Sequence, residues 1–140
     1  MKRLHVNLLV KEIEESVKFY EAFFNAAPIV IKPDYVKWML EDPKINFSLS
    51  LGQSKFGLNH LGIQADSEEE LKEIYANITK ADLAMEEEGH TVCCYAQSEK
   101  AWVKDPQQVE WEAFHTYGVS EENKVGDAAD KECCEPSCCN

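Results

Sequence analysis

The sequence predicts an α+β fold: two tandem βαβββ modules whose sheets pair into a cupped half-barrel. Three observations carry this. The order strand, helix, three strands can be read twice along the 140 residues. Sliding the chain by 55 positions superimposes the halves. The slide also lays His5 on His60.

In the first module, residues 3–10 alternate as a strand does, with His5, Asn7 and Leu9 on one face and Leu4, Val6 and Leu8 on the other. Residues 13–24 have helical spacing, with Val17, Tyr20, Phe23 and Phe24 on the apolar side. Pro28 and Pro33 punctuate the stretch after this helix, and short strands are expected near 29–32, 35–40 and 45–51. The second module opens with a strand over 57–65. Ser67 then begins a helix, with Glu70 completing a capping-box signature and Leu71, Ile74 and Ile78 forming its buried stripe. Strands are expected near 83–87, 91–96, 100–104 and 109–115, one of the first two being short or irregular, and a loop from Ala96 to Lys100 would be placed to act as a lid.

Further matches support the duplication. Phe19-Tyr20 falls on Ile74-Tyr75, Asp42-Pro43 corresponds to Asp105-Pro106 with a shift in spacing, and Phe47-Ser48 lies opposite Trp111-Glu112. The modules are read as about 1–53 and 54–117, within one domain over 1–117. Residues 118–140 are polar, acidic and without periodicity apart from their cysteines, the pattern of a flexible tail. The sequence leaves open whether the half-barrel closes within one chain or between two, as a homodimer.

Bulk properties narrow the function. With 44% hydrophobic and 29% charged residues the chain reads as an ordinary globular protein. A formal net charge of −12 disfavours nucleic acid or an anionic membrane as partner, since both need a positive face. No apolar run approaches the roughly 20 residues of a membrane span, and the start carries no signal-peptide stretch. A cytoplasmic location is expected, where thiols stay reduced. The six cysteines form three adjacent pairs, Cys93-Cys94, Cys133-Cys134 and Cys138-Cys139. Adjacent cysteines meet disulfide geometry poorly and suit soft metals or metalloids better.

The candidate chemistry gathers on three residues. His5 and His60 each lie on the more polar face of a strand, and Glu112 lies opposite Val109 and Trp111 on another. If the modules pair, these three converge in the cup. Two neutral imidazoles and one carboxylate suit a divalent first-row metal, and as a facial triad with open positions they point to non-haem Fe(II). The first-module slot equivalent to Glu112 falls near Ser48, where no further ligand is available. His90 and His115 are read as structural or exposed, His115 being an odd number of positions from Glu112.

These residues resemble the vicinal oxygen chelate superfamily of glyoxalases, bleomycin-resistance proteins and extradiol dioxygenases. A narrower likeness lies in Gly89-His90-Thr91-Val92-Cys93-Cys94-Tyr95-Ala96, followed by Lys100-Ala101-Trp102-Val103-Lys104-Asp105-Pro106 and Trp111-Glu112. This run is similar to the organoarsenical C–As lyases and to proteins described as cadmium-induced, and the likeness covers about residues 1–115. It implies that His5, His60 and Glu112 hold Fe(II), that Cys93 and Cys94 bind a trivalent organoarsenical, and that dioxygen takes part in releasing arsenite. Methylarsenite and trivalent aromatic arsenicals are the implied substrates. The alternative is a cysteine-rich protein that sequesters Cd(II) or As(III) without catalysis.

Two features sit awkwardly with the likeness. Adjacent strand residues face opposite ways, so a bulge or loop is needed for Cys93 and Cys94 to share a target. Relatives commonly carry Asp-Pro-x-Gly where this chain has Asp105-Pro106-Gln107-Gln108, and glutamine accepts a positive φ less readily than glycine.

Overall fold

Alternating apolar and polar residues build the strands, and two amphipathic helices cover one face of the resulting sheet. The computed structural model describes residues 1–93 and 96–119. The first module comprises β1 (Arg3–Val10), α1 (Ile13–Phe24), β2 (Val30–Ile31), β3 (Tyr35–Glu41) and β4 (Lys44–Leu51). The second comprises β5 (Gly57–Ala65), α2 (Glu68–Lys80), β6 (Glu86–Cys93), β7 (Ala96–Lys104) and β8 (Glu110–Val119). All strands join one curved eight-stranded sheet in the order β2-β3-β4-β1-β5-β8-β7-β6. The expected duplication is therefore present, and both modules meet within a single chain through the antiparallel pair β1–β5.

Each helix closes a core on the sheet face opposite the histidines. Val36, Trp38, Phe47 and Leu49 are buried beneath α1, and the partly buried Val17, Tyr20 and Phe24 of that helix, with Val6 and Leu8 of β1, pack against them. Trp38 is fully enclosed, and its indole N–H donates to the Ala26 carbonyl at 2.9 Å. Ala65, Leu71, Ile78 and Ala113 form the smaller core beneath α2. The Ser67 hydroxyl accepts from the Glu70 amide at 3.2 Å, as the capping signature requires. The return contact differs: the Glu70 carboxylate accepts from the Asp66 amide at 2.8 Å, one residue ahead of the cap.

The second module departs from the sequence expectation in its outer strands. In place of the two strands expected near 83–87 and 91–96, the described residues show a single strand, β6, over Glu86–Cys93. Its pairing with β7 shifts register between Glu87 and Gly89, and Gly89 has φ 64°. A bulge of this kind breaks the apparent periodicity without ending the strand. Residues 96–100 are likewise not a lid loop but the start of β7, paired with β8 on one side and β6 on the other. β8 runs on through Gly118 and Val119, and the remaining tail positions, 120–140, lie outside the described residues. Among the described residues no helix is long and apolar enough to cross a membrane.

Candidate metal centre

Strand register explains how residues far apart in sequence meet. In the antiparallel pair β1–β5, His5 stands opposite Gly62, Val6 opposite Leu61 and Asn7 opposite His60. The 55-residue shift exchanges the members of these pairs, so a pseudo-twofold axis passes through Val6 and Leu61. The histidines lie diagonally across it. On the outer flanks the pairing is parallel: β5 sets Gly62 against Glu112, and β1 sets Asn7 against Ser48. Ser48 is thus the structural counterpart of Glu112, and Asn7 that of Gly62.

The structure brings together His5, His60 and Glu112, the three residues singled out from the sequence, as a group able to hold a metal ion. They are 2%, 0% and 2% exposed. The two histidine Nε2 atoms are 2.9 Å apart, and Glu112 Oε2 lies 3.2 Å from that of His60 and 3.6 Å from that of His5. The His5 Nδ1–H donates to the Asn46 carbonyl at 3.0 Å, which fixes the ring and leaves the Nε2 lone pair facing the centre. Burial, reinforced by His60, lowers the His5 pKa to about 4, so the imidazole is neutral at physiological pH. Phe114 packs edge-on against His5 and Trp102 against His60, giving the donors apolar walls.

Glu112 is held as a carboxylate. Burial alone would raise its pKa, but the ammonium of Lys100, with the histidines, overcomes this and lowers it to about 2. Lys100 Nζ sits 2.8 Å from Glu112 Oε1, and the lysine is 3% exposed. In the sequence Lys100 stands out only as the start of a motif; its even spacing from Trp102 along an alternating strand is the one signal that could have placed it here. Gly62 permits the close approach of these elements. A Cβ there would lie 2.6 Å from the Glu112 carbonyl oxygen, 3.2 Å from its Cβ and 3.3 Å from His5 Cδ2.

The donor set fits a divalent first-row metal. Glu112 Oε2 is buried without a hydrogen-bond partner, although it faces two imidazole nitrogens. The donor triangle matches atoms each about 2.0–2.2 Å from one ion. At the first-module slot related to Glu112, Ser48 Oγ accepts from Asn7 Nδ2 at 2.8 Å, which also donates to Ser50 Oγ at 3.1 Å, so the His, Cys, Asp and Glu side chains gathered here among the described residues number three.

The remaining candidates divide. His90 is exposed, and the His115 Nδ1–H donates to the Ala65 carbonyl at 3.0 Å, away from Glu112. Cys93 ends β6 and pairs through its backbone with Ala96. Cys94 lies outside the described residues, as do the tail cysteines Cys133, Cys134, Cys138 and Cys139.

The fold is of the vicinal oxygen chelate type, and its cup holds a three-residue group able to bind a metal ion. The family model for the Glyoxalase/Bleomycin resistance protein/Dioxygenase superfamily matches residues 2–113, and the chain belongs to that superfamily. Among curated proteins it is 39% identical to the trivalent organoarsenical cleaving enzyme of Bacillus sp. (strain MD1), covering 99% of this chain and 83% of that one. It is 38% identical to the probable trivalent organoarsenical cleaving enzyme of Bacillus subtilis (strain 168), covering 96% and 91%. It is also 32% identical to the cadmium-induced protein CadI of Mycobacterium tuberculosis, covering 96% and 94%. Among solved structures, the Mn(II)-bound glyoxalase from Novosphingobium aromaticivorans superimposes with a TM-score of 0.60 at 12% identity, over 91% of this chain and 44% of that one. That similarity concerns the fold.

Proposed function

We propose that this chain is an Fe(II)- and dioxygen-dependent lyase that cleaves the carbon–arsenic bond of trivalent organoarsenicals and releases arsenite. The observation that carries the reading is the buried convergence of His5, His60 and Glu112, with Ser48 hydrogen-bonded where a fourth ligand would stand. Three protein donors leave room for more than one exogenous ligand. The names of the curated relatives support an organoarsenical as substrate. Iron would supply the oxygen chemistry that side chains cannot perform.

The chain's own residues account for the rest. His5, held neutral by burial and by the Asn46 carbonyl, offers a lone pair rather than a proton. Glu112 offers negative charge, kept ionised beside Lys100. Cys93 and Cys94 act as the arsenic anchor, since trivalent arsenic is thiophilic and two thiolates displace its hydroxyls. Anchoring would turn the encounter of substrate and metal centre into a proximity effect. Methylarsenite and trivalent aromatic arsenicals are the proposed substrates, and a reducing cytoplasm would keep the thiols free.

The test is turnover of methylarsenite by Fe(II)-loaded protein, with arsenic speciation of the products. Arsenite is expected in air and absent under anaerobic conditions; release without oxygen would refute the mechanism. Cys93→Ser and Cys94→Ser should each abolish turnover while sparing iron binding, and full activity in both would remove the anchor role.

A second reading, capture of Cd(II) or As(III) without catalysis, is favoured by the cadmium-induced relatives and by the six paired cysteines. Deleting residues 130–140 separates the two. A sequestering protein would lose much of its binding capacity, whereas the lyase would retain its turnover.

A further inference from the structure

A lysine that is 3% exposed needs an anion beside it, because an unpaired buried ammonium is strongly disfavoured. Lys100 has that anion in Glu112, but through one oxygen only. Its Nζ lies 2.8 Å from Oε1, while Oε2 is the atom that faces His60 Nε2 at 3.2 Å and His5 Nε2 at 3.6 Å. The two oxygens of one carboxylate therefore have separate tasks. Strand pairing sets this division: Lys100 is in register with Phe114, two positions along β8 from Glu112, and Trp102 is in register with Glu112 itself. Trp102 is anchored in turn by its indole N–H, which donates to Glu88 Oε1 at 2.9 Å, and its ring centre is 5.9 Å from the Lys100 ammonium.

We infer that Lys100 is a positioning residue that reserves Glu112 Oε1 and confines the carboxylate to binding a metal ion through Oε2 alone. The inference rests on the metal-site reading and goes beyond it. Carboxylates bind cations through one oxygen or two. A two-oxygen grip would hold the ion more firmly but would fill a position that substrate or dioxygen needs. For Glu112 to adopt it, Oε1 would have to give up its bond to Lys100 or share its electron density between the ammonium and the ion, weakening a charge-assisted hydrogen bond inside a buried site. The same ammonium repels the ion across the low-dielectric floor of the cup. Lys100 thus gives up metal affinity in exchange for an open coordination position.

The experiment titrates the full-length protein with Mn(II), reading affinity by electron paramagnetic resonance and bound-ion water exchange by proton relaxation. Wild type should bind Mn(II), and His60→Ala should lose it. Lys100→Met should bind about tenfold more tightly, the equivalent of one charge-assisted hydrogen bond no longer opposing the ion. The relaxivity per bound ion should fall by roughly a third, as one of the open positions fills. Lys100→Arg, which restores a cationic donor, should return the relaxivity towards wild type. A lysine with only a structural role would give weaker binding at unchanged relaxivity per bound ion, and that result overturns the inference. Failure of wild type to bind Mn(II), or binding indifferent to His60→Ala, would instead overturn the metal-site reading. Should Lys100→Met fail to fold by circular dichroism, Lys100→Gln is judged by the same two quantities and the same directions.

Discussion

The Nε2 atoms of His5 and His60 stand 2.9 Å apart although 55 residues separate them in sequence. Nothing local brings them together. They meet because β1 and β5 pair antiparallel about Val6 and Leu61, which sets equivalent positions of the two modules diagonally across one seam. Two lone-pair donors and a carboxylate crowded into a buried space repel one another unless a proton or a cation lies between them. Removal of any one donor should therefore cost metal binding heavily. His5→Ala, His60→Ala and Glu112→Gln are each expected to weaken Fe(II) or Mn(II) binding by about a hundredfold or more; circular dichroism should stay close to wild type in the two histidine variants, whereas Glu112→Gln also removes the carboxylate facing Lys100 and should lower stability. Wild-type affinity in any of the three, measured by equilibrium dialysis with metal analysis, would exclude that residue as a ligand.

Acid should destabilise the metal-free protein, and His5 should be a main cause. The folded pKa of His5 is lowered to about 4 from 6.5, first by burial and then by His60. Between these values the unfolded chain binds a proton that the folded chain refuses. Stability therefore falls as pH drops from about 6.5 and levels off below about 4. Glu112 adds the same sign lower down: its contribution is complete above 4.5 and is lost as pH falls through about 2. Urea unfolding of the metal-free protein should lose about 2–3 kcal/mol between about pH 7.5 and 4.5. His5→Gln should remove most of that slope; an unchanged slope would assign it to other groups.

Gly62 is a position where the site leaves no room for a side chain. It stands in register with both His5 and Glu112, and an added Cβ would come within 2.6 Å of backbone oxygen, which cannot swing aside as a side chain can. Gly62→Ala is expected to cost about 2 kcal/mol or more of stability. It should also weaken metal binding by at least about tenfold, because the displaced elements carry two of the donors. Denaturant midpoints and metal titration on the same preparation would check both effects.

Most of this architecture was legible in the sequence because it rests on period and duplication. The first two elements and β5 have the expected bounds, since their alternation and helical spacing are uninterrupted. The β6–β7 region was not legible. A bulge at Glu87–Gly89 shifts the face of every later residue on the strand, and a run such as Gln97-Ser98-Glu99 is polar enough to pass for a loop although β7 is paired on both sides. Lys100 was missed for a related reason. A lysine reads as surface unless its anion is known, and its anion, Glu112, arrives from the neighbouring strand.

The turn before Glu112 carries a measurable cost. Gln108 adopts φ 69°, in the left-handed region that glycine enters freely, and the turn is held by Asp105. The Asp105 carboxylate accepts from the amides of Gln107 at 2.8 Å and Val109 at 2.9 Å, and its carbonyl accepts from the Gln108 amide at 3.0 Å. Gln108→Gly should relieve the backbone strain and, after the greater freedom of the unfolded glycine is subtracted, stabilise the protein by about 0.5–1 kcal/mol. Metal affinity should be unaffected, since the hydrogen bonds of the turn do not involve the Gln108 side chain. A destabilised variant in thermal or urea unfolding would show that the glutamine side chain contributes something the turn geometry does not.

The pseudo-twofold axis also specifies how the open coordination could be closed. Ser48 occupies the slot related to Glu112, and Asn7 the slot related to Gly62. In the second module the missing side chain at Gly62 gives Glu112 its space; in the first, Asn7 fills that space and donates to Ser48. Ser48→Glu alone would force a carboxylate against a buried amide and should chiefly destabilise the fold, by about 2 kcal/mol or more. Asn7→Gly combined with Ser48→Glu reproduces the second-module arrangement on the first-module side. The double variant should offer a fourth protein donor, bind Ni(II) or Zn(II) at least about tenfold more tightly than wild type, and lose any oxygen-dependent turnover because a position needed by reactants is filled. The pair should be strongly non-additive in stability, the glycine relieving most of the cost of the glutamate. Equal metal affinity in the double variant and wild type would mean that the two halves of the cup are related in backbone register but not in where their side chains reach.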